Sequence, residues 1–527
     1  MFGVPFFLRD IIMITAYRIL PIMVMAMALV VLGGTYADLA AGVHADKNVR
    51  ISSNGTVKNN SVPFFFVQVT DIHICDDDGK KILEKLVGRE ARIDPKSFVK
   101  ATVQDISDLH PDFVIASGDL VIEARGSSPQ EILRIYELIN ESMQPIINDG
   151  VPFYPLIGNH DVVGVFNESL DANESGYGKG MFQRIFNQKT TYYSFDNGGY
   201  HFVALDPNSY ELWNVTTKSS VYRVDEKQMQ WLKEDLNSTD RPVIVFLHEP
   251  TIDLLNREEL LSVLRAHDTK MIFSGHWHVN DLLNSGGIPE QVTTAVSGAW
   301  WTGTDATRSP GGYLVVVPHG SEVDTFYRNT GQVKQINILD PAEPLVKDVL
   351  NVRAQIWTKE ILEDVWISID KGPSQAMNVS RKDLWYEVVS SVDIKNLSIG
   401  YHQADVIAVD HDSGFSASFS FKLTNETVLP INEILLHSET YLGRHPRIKG
   451  YADGKADLSR IEVGMQPLIR DGTGAIPFVQ SECNLLPGVE NKTQWIVSGQ
   501  LQRYDLSDFS SVFLIYGDGS CPEKAAA

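Results

Sequence analysis

The chain has 527 residues, 43% hydrophobic and 21% charged, with a formal net charge of −22. That length exceeds what one hydrophobic core serves, and the composition excludes global disorder. The acidic balance argues against a nucleic-acid binder that works by counterion release, so no nucleic-acid partner is expected; it suits a soluble surface that carries bound divalent cations.

The first informative stretch is N-terminal. Arg9 and Arg18 precede an apolar run from Ile19 to Leu32, followed by small residues. The run is shorter than the ~20 residues of a full span and has the length of a signal-peptide core. Because Gly33 to Ala41 stays fairly apolar, an uncleaved anchor is the alternative, and residues 1–45 are read as signal peptide or membrane anchor. Eleven Asn-X-Ser/Thr sequons, from Asn54 to Asn491, require surface positions in an exported chain. Everything beyond residue 45 is therefore expected outside the cytoplasm, secreted or membrane-anchored. The cysteines, Cys75, Cys483 and Cys521, are too few for a disulfide scaffold. Cys483 and Cys521 share the C-terminal region and either pair or remain thiols.

From residue 63 strands and helices alternate. The run Pro63 to Val69 reads as a strand ending in Thr70-Asp71-Ile72-His73, with Asp71 and His73 on one side of an extended segment. Asp94-Pro95 opens a helix with Val99, Val103 and Ile106 on its apolar face. Asp112 to Ser117 is the next strand, closed by Gly118-Asp119. Ser128-Pro-Gln-Glu131 is a capping box for a helix carrying Ile132, Ile135, Leu138 and Ile139. Val151 to Ile157 delivers Gly158-Asn159-His160-Asp161. A polar loop over 163–179 follows, then a hairpin over 190–206 turning at Asn197-Gly-Gly199. A helix from Asp225 to Leu236 points Met229, Trp231, Leu232 and Leu236 inward. The strand Arg241 to Leu247 ends in His248, and Lys270 to Ser274 ends in Gly275-His276-Trp277-His278, whose two histidines share a face if extended. This alternation implies a sheet with helices packed against it and ligands collected at strand ends. One such histidine means little, but Asp71, His73, Asp119, Asn159, His160, His248, His276 and His278 all follow hydrophobic strands.

The ordered set D-x-H, G-D, G-N-H-D, H and G-H-x-H resembles the calcineurin-like metallophosphoesterase superfamily, over roughly residues 62–330. The phrases YYSFDNGGYHFVALD, Gln228-x-x-Trp231-Leu232 and Ser297-Gly-Ala-Trp-Trp301 look like the family too. The resemblance implies a four-layered α/β sandwich with a dinuclear metal centre. Carried over by motif, Asp71, His73 and His278 would bind one metal and Asn159, His248 and His276 the other, with Asp119 bridging. Carboxylate, imidazole and amide oxygen suit Mn, Fe, Zn or Co. Two such metals share a hydroxide that attacks phosphorus in line. His160 would stabilise the transition state or protonate the leaving oxygen, with Asp161 fixing its orientation. The purple acid phosphatases carry Gly in place of His73 and a ligand Tyr in place of Ile122, so a tyrosinate-bound iron site is not expected. The layout looks most like the cyclic-nucleotide phosphodiesterase and acid-phosphatase-like branch. Trp300 and Trp301 either line the substrate entrance or pack the sheet edge.

Gly312 to Arg328 reads as the last hairpin of a domain spanning 46–335. Alternating strands over 336–430 resemble an immunoglobulin- or fibronectin-like sandwich, and the strands of 431–527, with the turn Asp471-Gly-Thr-Gly474, resemble an OB-fold barrel. That last segment lacks a basic run, so an accessory role in adhesion, glycan contact or packing is expected of it. The expected function is an exported dinuclear-metal phosphoester hydrolase acting on a small phosphate ester. A catalytically inactive surface-binding protein on the same fold is the alternative, and the intact motif positions count against it.

Overall fold

Strand alternation decides which way each core residue faces. In β1 (Phe66–Val69) Phe66 enters one hydrophobic cluster while Val67 and Val69 enter another. Two helices follow, α1 (Asp77–Val87) and α2 (Pro95–Leu109), and then β2 (Val114–Ser117), which repeats the split: Ile115 to the first cluster, Val114 and Ala116 to the second. The description comes from a computed structural model and covers residues 63–87, 90–457, 465–479, 494–505, 511–517 and 523–524. The N-terminal apolar run, the sequons at Asn54, Asn59 and Asn491, and Cys483 and Cys521 lie outside the described residues.

Helix α3 (Pro129–Asn148) precedes β3 (Phe153–Leu156), and α4 (Gly180–Ile185) leads into the hairpin β4 (Tyr193–Asn197) and β5 (Tyr200–Ala204). Next come α5 (Glu226–Leu236), β6 (Val243–Phe246), α6 (Arg257–Arg265) and β7 (Thr269–Ser274). The hairpins β8 (Asp281–Ser285)–β9 (Ile288–Val292) and β10 (Gly312–His319)–β11 (Glu322–Asn329) complete the domain. One sheet has the order β11-β10-β1-β2-β3, with β1, β2 and β3 parallel; the other runs β4-β5-β6-β7-β9-β8, with β5, β6, β7 and β9 parallel. Their facing sides share an aromatic layer in which Phe66 stacks on Phe113 at 4.7 Å and meets Phe246 edge-on at 5.7 Å. Emptying one such ring position would cost about 3–5 kcal/mol. The outer faces bury α2 and α3 on one side and α5 and α6 on the other, which makes the four layers.

The helix starts stand where the capping residues put them. Asp94 accepts from the Ser97 amide, and the Ser128 box closes in both directions, Ser128 N to Glu131 Oε2 at 2.7 Å and Glu131 N to Ser128 Oγ at 3.4 Å. Each cap contributes about 1 kcal/mol. One inward residue differs from expectation: Trp231 is half-buried against Tyr192 rather than within the core.

Beyond β11 the chain is β-rich. A four-stranded sheet takes the order β12 (Gln335–Asp340), β14 (Val349–Trp357), β18 (Tyr386–Asp393), β17 (Asn378–Arg381). A five-stranded sheet orders β13 (Leu345–Val346), β20 (Gly414–Leu423), β19 (Gly400–Asp410), β15 (Leu362–Ile369), β16 (Gln375–Ala376). Inward residues of both, among them Val352, Val388, Ile367, Val406 and Phe421, make one core, so the two sheets form a sandwich. It meets the first domain through Trp357 and Trp385, which pack on Phe326.

After α7 (Ile431–Leu436) and α8 (Ser438–Tyr441) come β21 (Arg447–Asp457), β22 (Met465–Arg470), β23 (Ala475–Val479), β24 (Gln494–Asp505) and β25 (Ser511–Gly517). Their order is β21-β22-β23-β25-β24, with β26 (Glu523–Lys524) as a sixth strand beside β24; β24 pairs back onto β21 and β23 runs parallel to β25, which closes the first five into a barrel. No helix among the described residues is long and apolar enough to cross a membrane.

Candidate metal centre

The strands of both sheets end at one place. Asp71 and His73 follow β1, Asp119 follows β2, Asn159 to Asp161 form a single 3-10 turn after β3, His248 follows β6, and His276 and His278 follow β7. Their side chains converge into two groups, Asp71, His73 and His278, and Asp119, His248 and His276; within each, the ligand atoms lie within 4.8 Å of one another. Asp119 stands between the groups, its Oδ2 3.7 Å from His73 Nε2 and 3.1 Å from His248 Nε2. Asp71 Oδ1 reaches across in the same way, 3.1 Å from His278 Nε2 and 3.8 Å from His248 Nε2.

The extended-segment expectation is wrong for both D-x-H and H-x-H. Asp71 (φ 50°), His73 (φ 43°), Asp119 (φ 51°), His276 (φ 66°) and His278 (φ 54°) all adopt left-handed backbone. A non-glycine residue there costs about 1–2 kcal/mol. Such strain persists only where the surroundings over-determine it. Here the loops tie one another down: Asp71 N donates to Gly118 O at 3.1 Å, His73 N to Asp119 O at 2.9 Å and Gly275 N to His248 O at 2.9 Å. The turn at each residue is also why His276 and His278, two apart, serve different groups.

Outer hydrogen bonds aim the ligand atoms. His248 Nδ1 faces Ser117 O at 2.9 Å, His278 Nδ1 faces Gly298 O at 2.8 Å and His73 Nδ1 faces Val121 O at 3.4 Å. Each Nδ1 is thereby assigned its proton, and each Nε2 is turned to the centre. Asp71 Oδ2 accepts from Thr70 Oγ1 (2.7 Å) and His276 N (3.0 Å), leaving Oδ1 inward. Gly158 packs flat on Asp119; a Cβ at that position would lie 2.2 Å from Asp119 Oδ1.

Inward-facing atoms then lack partners. Asn159 Oδ1 is buried with no partner, while Asp71 Oδ1 and His248 Nε2, also buried without a hydrogen bond of good geometry, have only the ion-pair contacts to His278 and Asp119. His73 Nε2 and His278 Nε2 face each other at 3.1 Å. Buried acceptors left this way are costly unless a cation supplies the missing charge, so the donor set fits divalent metal ions. In the cation-free protein the histidines take part of that charge. Burial opposes it, yet the Asp119 and Asp71 carboxylates raise His248 well above the ordinary imidazole value, and Asp71 raises His278. Burial would likewise raise Asp71, but His278 and His248 hold it well below the carboxylate range.

A sign follows for metal uptake. The neighbouring carboxylates favour the protonated forms of His248 and His278, and an incoming cation competes with those protons. Apparent Mn²⁺ affinity is therefore expected to rise with pH until these imidazoles have lost their protons, by about tenfold per unit for each proton displaced, and to level off above that. Calorimetry in buffers of different ionisation enthalpy reads the released protons; uptake without release would contradict the assignment.

Residues 66–280 match the family model for calcineurin-like phosphoesterases. This domain belongs to that family. The relatives it resembles include purple acid phosphatase 15 of Arabidopsis thaliana, 28% identical over 148 residues, which are 25% of this chain and 26% of that protein. A probable cyclic nucleotide phosphodiesterase of Fibrobacter succinogenes is 26% identical over 224 residues, 40% of this chain and 71% of that protein. Serine/threonine-protein phosphatase CPPED1 of Danio rerio is 25% identical over 322 residues, 55% of this chain and 92% of that protein. The chain spans 26% and 31% of the lengths of the two purple acid phosphatases it matches.

Within this calcineurin-like phosphoesterase domain, the G-N-H-D turn is built differently from expectation. Asp161 does not touch the His160 ring. Its Oδ1 accepts from Leu120 N (2.9 Å) and Val121 N (3.1 Å) and its Oδ2 from Gly158 N (2.9 Å). It braces the Asp119 loop against its own turn, because the D of the motif folds back across β2 rather than toward the preceding histidine. Burial and the neighbouring Asp119 charge push its carboxyl up to about 8. His160 is held elsewhere: its backbone N donates to Asp119 Oδ1 (2.8 Å), its Nδ1 faces Ile122 O (3.1 Å), and Arg125 Nη2 lies 3.0 Å from its Nε2. Burial, then the Arg125 charge, lowers His160 to about 3. The ring is thus neutral, giving Nδ1–H to Ile122 and accepting from Arg125.

Arg125 and Glu123 were not singled out from sequence. Glu123 holds the guanidinium with both oxygens, 3.0 Å to Nε and 2.7 Å to Nη2, and Phe166 lies under it at 5.5 Å. In sequence they look like an ordinary charged loop. The capping box three residues later was the signal that this loop ends at a fixed helix start. The two tryptophans separate. Trp300 (φ 55°) lies over His73 at 4.0 Å, His160 at 4.9 Å and His278 at 5.0 Å. Trp301 is fully buried, donates Nε1 to His73 O at 2.8 Å and packs on Phe98. One covers the centre and the other supports it from the core. Ile122 is buried and contributes its carbonyl to His160, at the position where a purple site would carry tyrosinate.

Proposed function

We propose that the protein is a metal-dependent phosphoester hydrolase. The observation that carries this is the convergence of Asp71, His73 and His278, and of Asp119, His248 and His276, into two buried ligand groups, with Asn159 Oδ1 buried and without a hydrogen bond. Asp71, His73 and His278 would hold one divalent cation, Asn159, His248 and His276 a second, and Asp119 both. Bound there, such cations polarise a phosphoryl oxygen and make water a nucleophile at neutral pH. The chain does the rest. Arg125, paired with Glu123 and hydrogen-bonded to His160, holds guanidinium N–H donors next to His160, which we read as stabilising the negative charge that an attacked phosphoryl group gathers. His160 acts as the acceptor that aims this guanidinium. Trp300 shields the first group from bulk water, which strengthens each of these charges. Water attacks phosphorus directly as the ester P–O bond breaks, the water's proton ending on the departing alcohol and its oxygen on the phosphate; a phosphorylated enzyme trapped during turnover would contradict this.

The barrel order with parallel β23 and β25 supports an OB-like fold, and the two-sheet core supports an immunoglobulin-like sandwich, with domains at 46–335, 336–430 and 431–527. Export, as a secreted or anchored protein, rests on the N-terminal run and the sequons. Metal-stripped protein reloaded with Mn²⁺, Zn²⁺, Co²⁺ or Fe²⁺ is expected to hydrolyse p-nitrophenyl phosphate or its bis-ester. Bound metal without hydrolysis of either, or of a wider ester panel, would point instead to an inactive binding protein. Expression in a glycosylating host followed by endoglycosidase treatment tests export through a drop in mass.

A further inference from the structure

We infer that the C-terminal barrel, rather than serving as a separate accessory, positions the His276–His278 loop of the metal centre. The inference rests on the metal-binding reading above. That loop carries one ligand to each group, and both histidines have left-handed backbone. Inside the first domain Trp277 Nε1 donates to Asp253 Oδ2 at 2.7 Å. The rest of the Trp277 surroundings is shared with the barrel. Its indole belongs to a buried cluster of Ile252, Val279, Leu283, Val292 and Ala306 with Val479 of β23 and Leu514 of β25.

Strand periodicity marks this as a docking face. Along β24 and β25, Leu501 and Ile515 point into the barrel core, while Gln500, Gln502 and Leu514 point out of it. Outward residues of a free-standing barrel face solvent, yet these three are 2%, 0% and 0% exposed. Gln500 Nε2 donates to Asn280 O at 2.8 Å, two residues beyond His278, and Gln502 Nε2 reaches Gln500 Oε1 at 3.3 Å. His445 Nε2 lies 3.2 Å from Asp281 Oδ1, and Arg503 N donates to Ala306 O at 3.0 Å. A buried amide is tolerated only when bonded, so Gln500 and Gln502 suit a permanent contact. The barrel therefore meets the segment at two places, the Trp277 indole cluster and Asn280–Asp281 just beyond His278. A strained loop needs this kind of outside support.

The test uses the full chain. Gln500→Ala and, separately, Leu514→Ala are compared with wild type by Mn²⁺ titration of metal-stripped protein and by hydrogen–deuterium exchange over residues 275–281. Groups that orient ligands typically change metal affinity by about 10–100-fold. Gln500→Ala is expected to weaken Mn²⁺ binding by about tenfold, with turnover returning at excess Mn²⁺, and to speed exchange in that segment. Native circular dichroism with wild-type affinity and unchanged segment exchange would overturn the proposal. If Leu514→Ala fails to fold, Gln500→Ala alone decides. Should wild type bind no Mn²⁺, the metal reading fails, and exchange over 275–281 still tests the grip by itself.

Discussion

Asp119→Asn should lose metal and at least about 10³-fold in kcat/KM while keeping its fold, because cation stabilisation of phosphoryl transfer is worth several kcal/mol. The geometry makes this substitution sharper than its size suggests. Asp119 Oδ1 accepts the His160 amide at 2.8 Å, so the asparagine oxygen must stay there. The new NH₂ then occupies the Oδ2 position, 3.1 Å from His248 Nε2 and 3.7 Å from His73 Nε2. Two N–H donors now point where both groups need a lone pair, and the negative charge between them is gone. Metal content per chain by elemental analysis should fall below that of wild type, with far-UV circular dichroism unchanged. Full metal content with wild-type turnover would refute the proposed bridging role of Asp119.

Much of this centre was legible in the chain because the chemistry sits at strand ends. An apolar run of strand length that stops at Asp, His or Asn names both the strand and the candidate ligand, and Asp71, Asp119, Asn159, His248 and His276 were all reached that way. Period-2 reasoning failed one residue further on. It assumes extended backbone, whereas Asp71, His73, His276 and His278 turn through left-handed φ, set by hydrogen bonds from loops far away in sequence. Asp161 departs from its sequence expectation for the same reason. Adjacency to His160 suggested contact, but its carboxylate satisfies amides of a loop about forty residues earlier. Arg125 was invisible because a loop arginine beside a glutamate looks solvated until the fold buries it to 6% exposure. The barrel face was hidden because Gln500 and Gln502 look like ordinary outward strand residues. Only the docked partner shows that outward here means buried.

His160→Ala should lower kcat by about 10²–10³-fold, the usual cost of removing one preorganised stabiliser of the transition state, with metal content retained. Its manner of failing distinguishes the two roles the motif allows. A leaving-group acid must carry a proton that it can release near the working pH. His160 is lowered to about 3, first by burial and then by Arg125, and its Nε2 already accepts from that guanidinium at 3.0 Å. Between pH 5 and 8 it stays neutral, so its loss should scale the pH–rate profile down without changing its shape. Disappearance of an alkaline limb in His160→Ala would restore the acid role. Arg125→Ala should resemble His160→Ala if, as proposed, the imidazole acts by aiming the guanidinium. The double variant should then lose little more than either single one. Residues acting as one unit are strongly non-additive, whereas independent groups would multiply to about 10⁴-fold or more. That multiplication, measured with p-nitrophenyl phosphate at saturating Mn²⁺, is the outcome that would separate them.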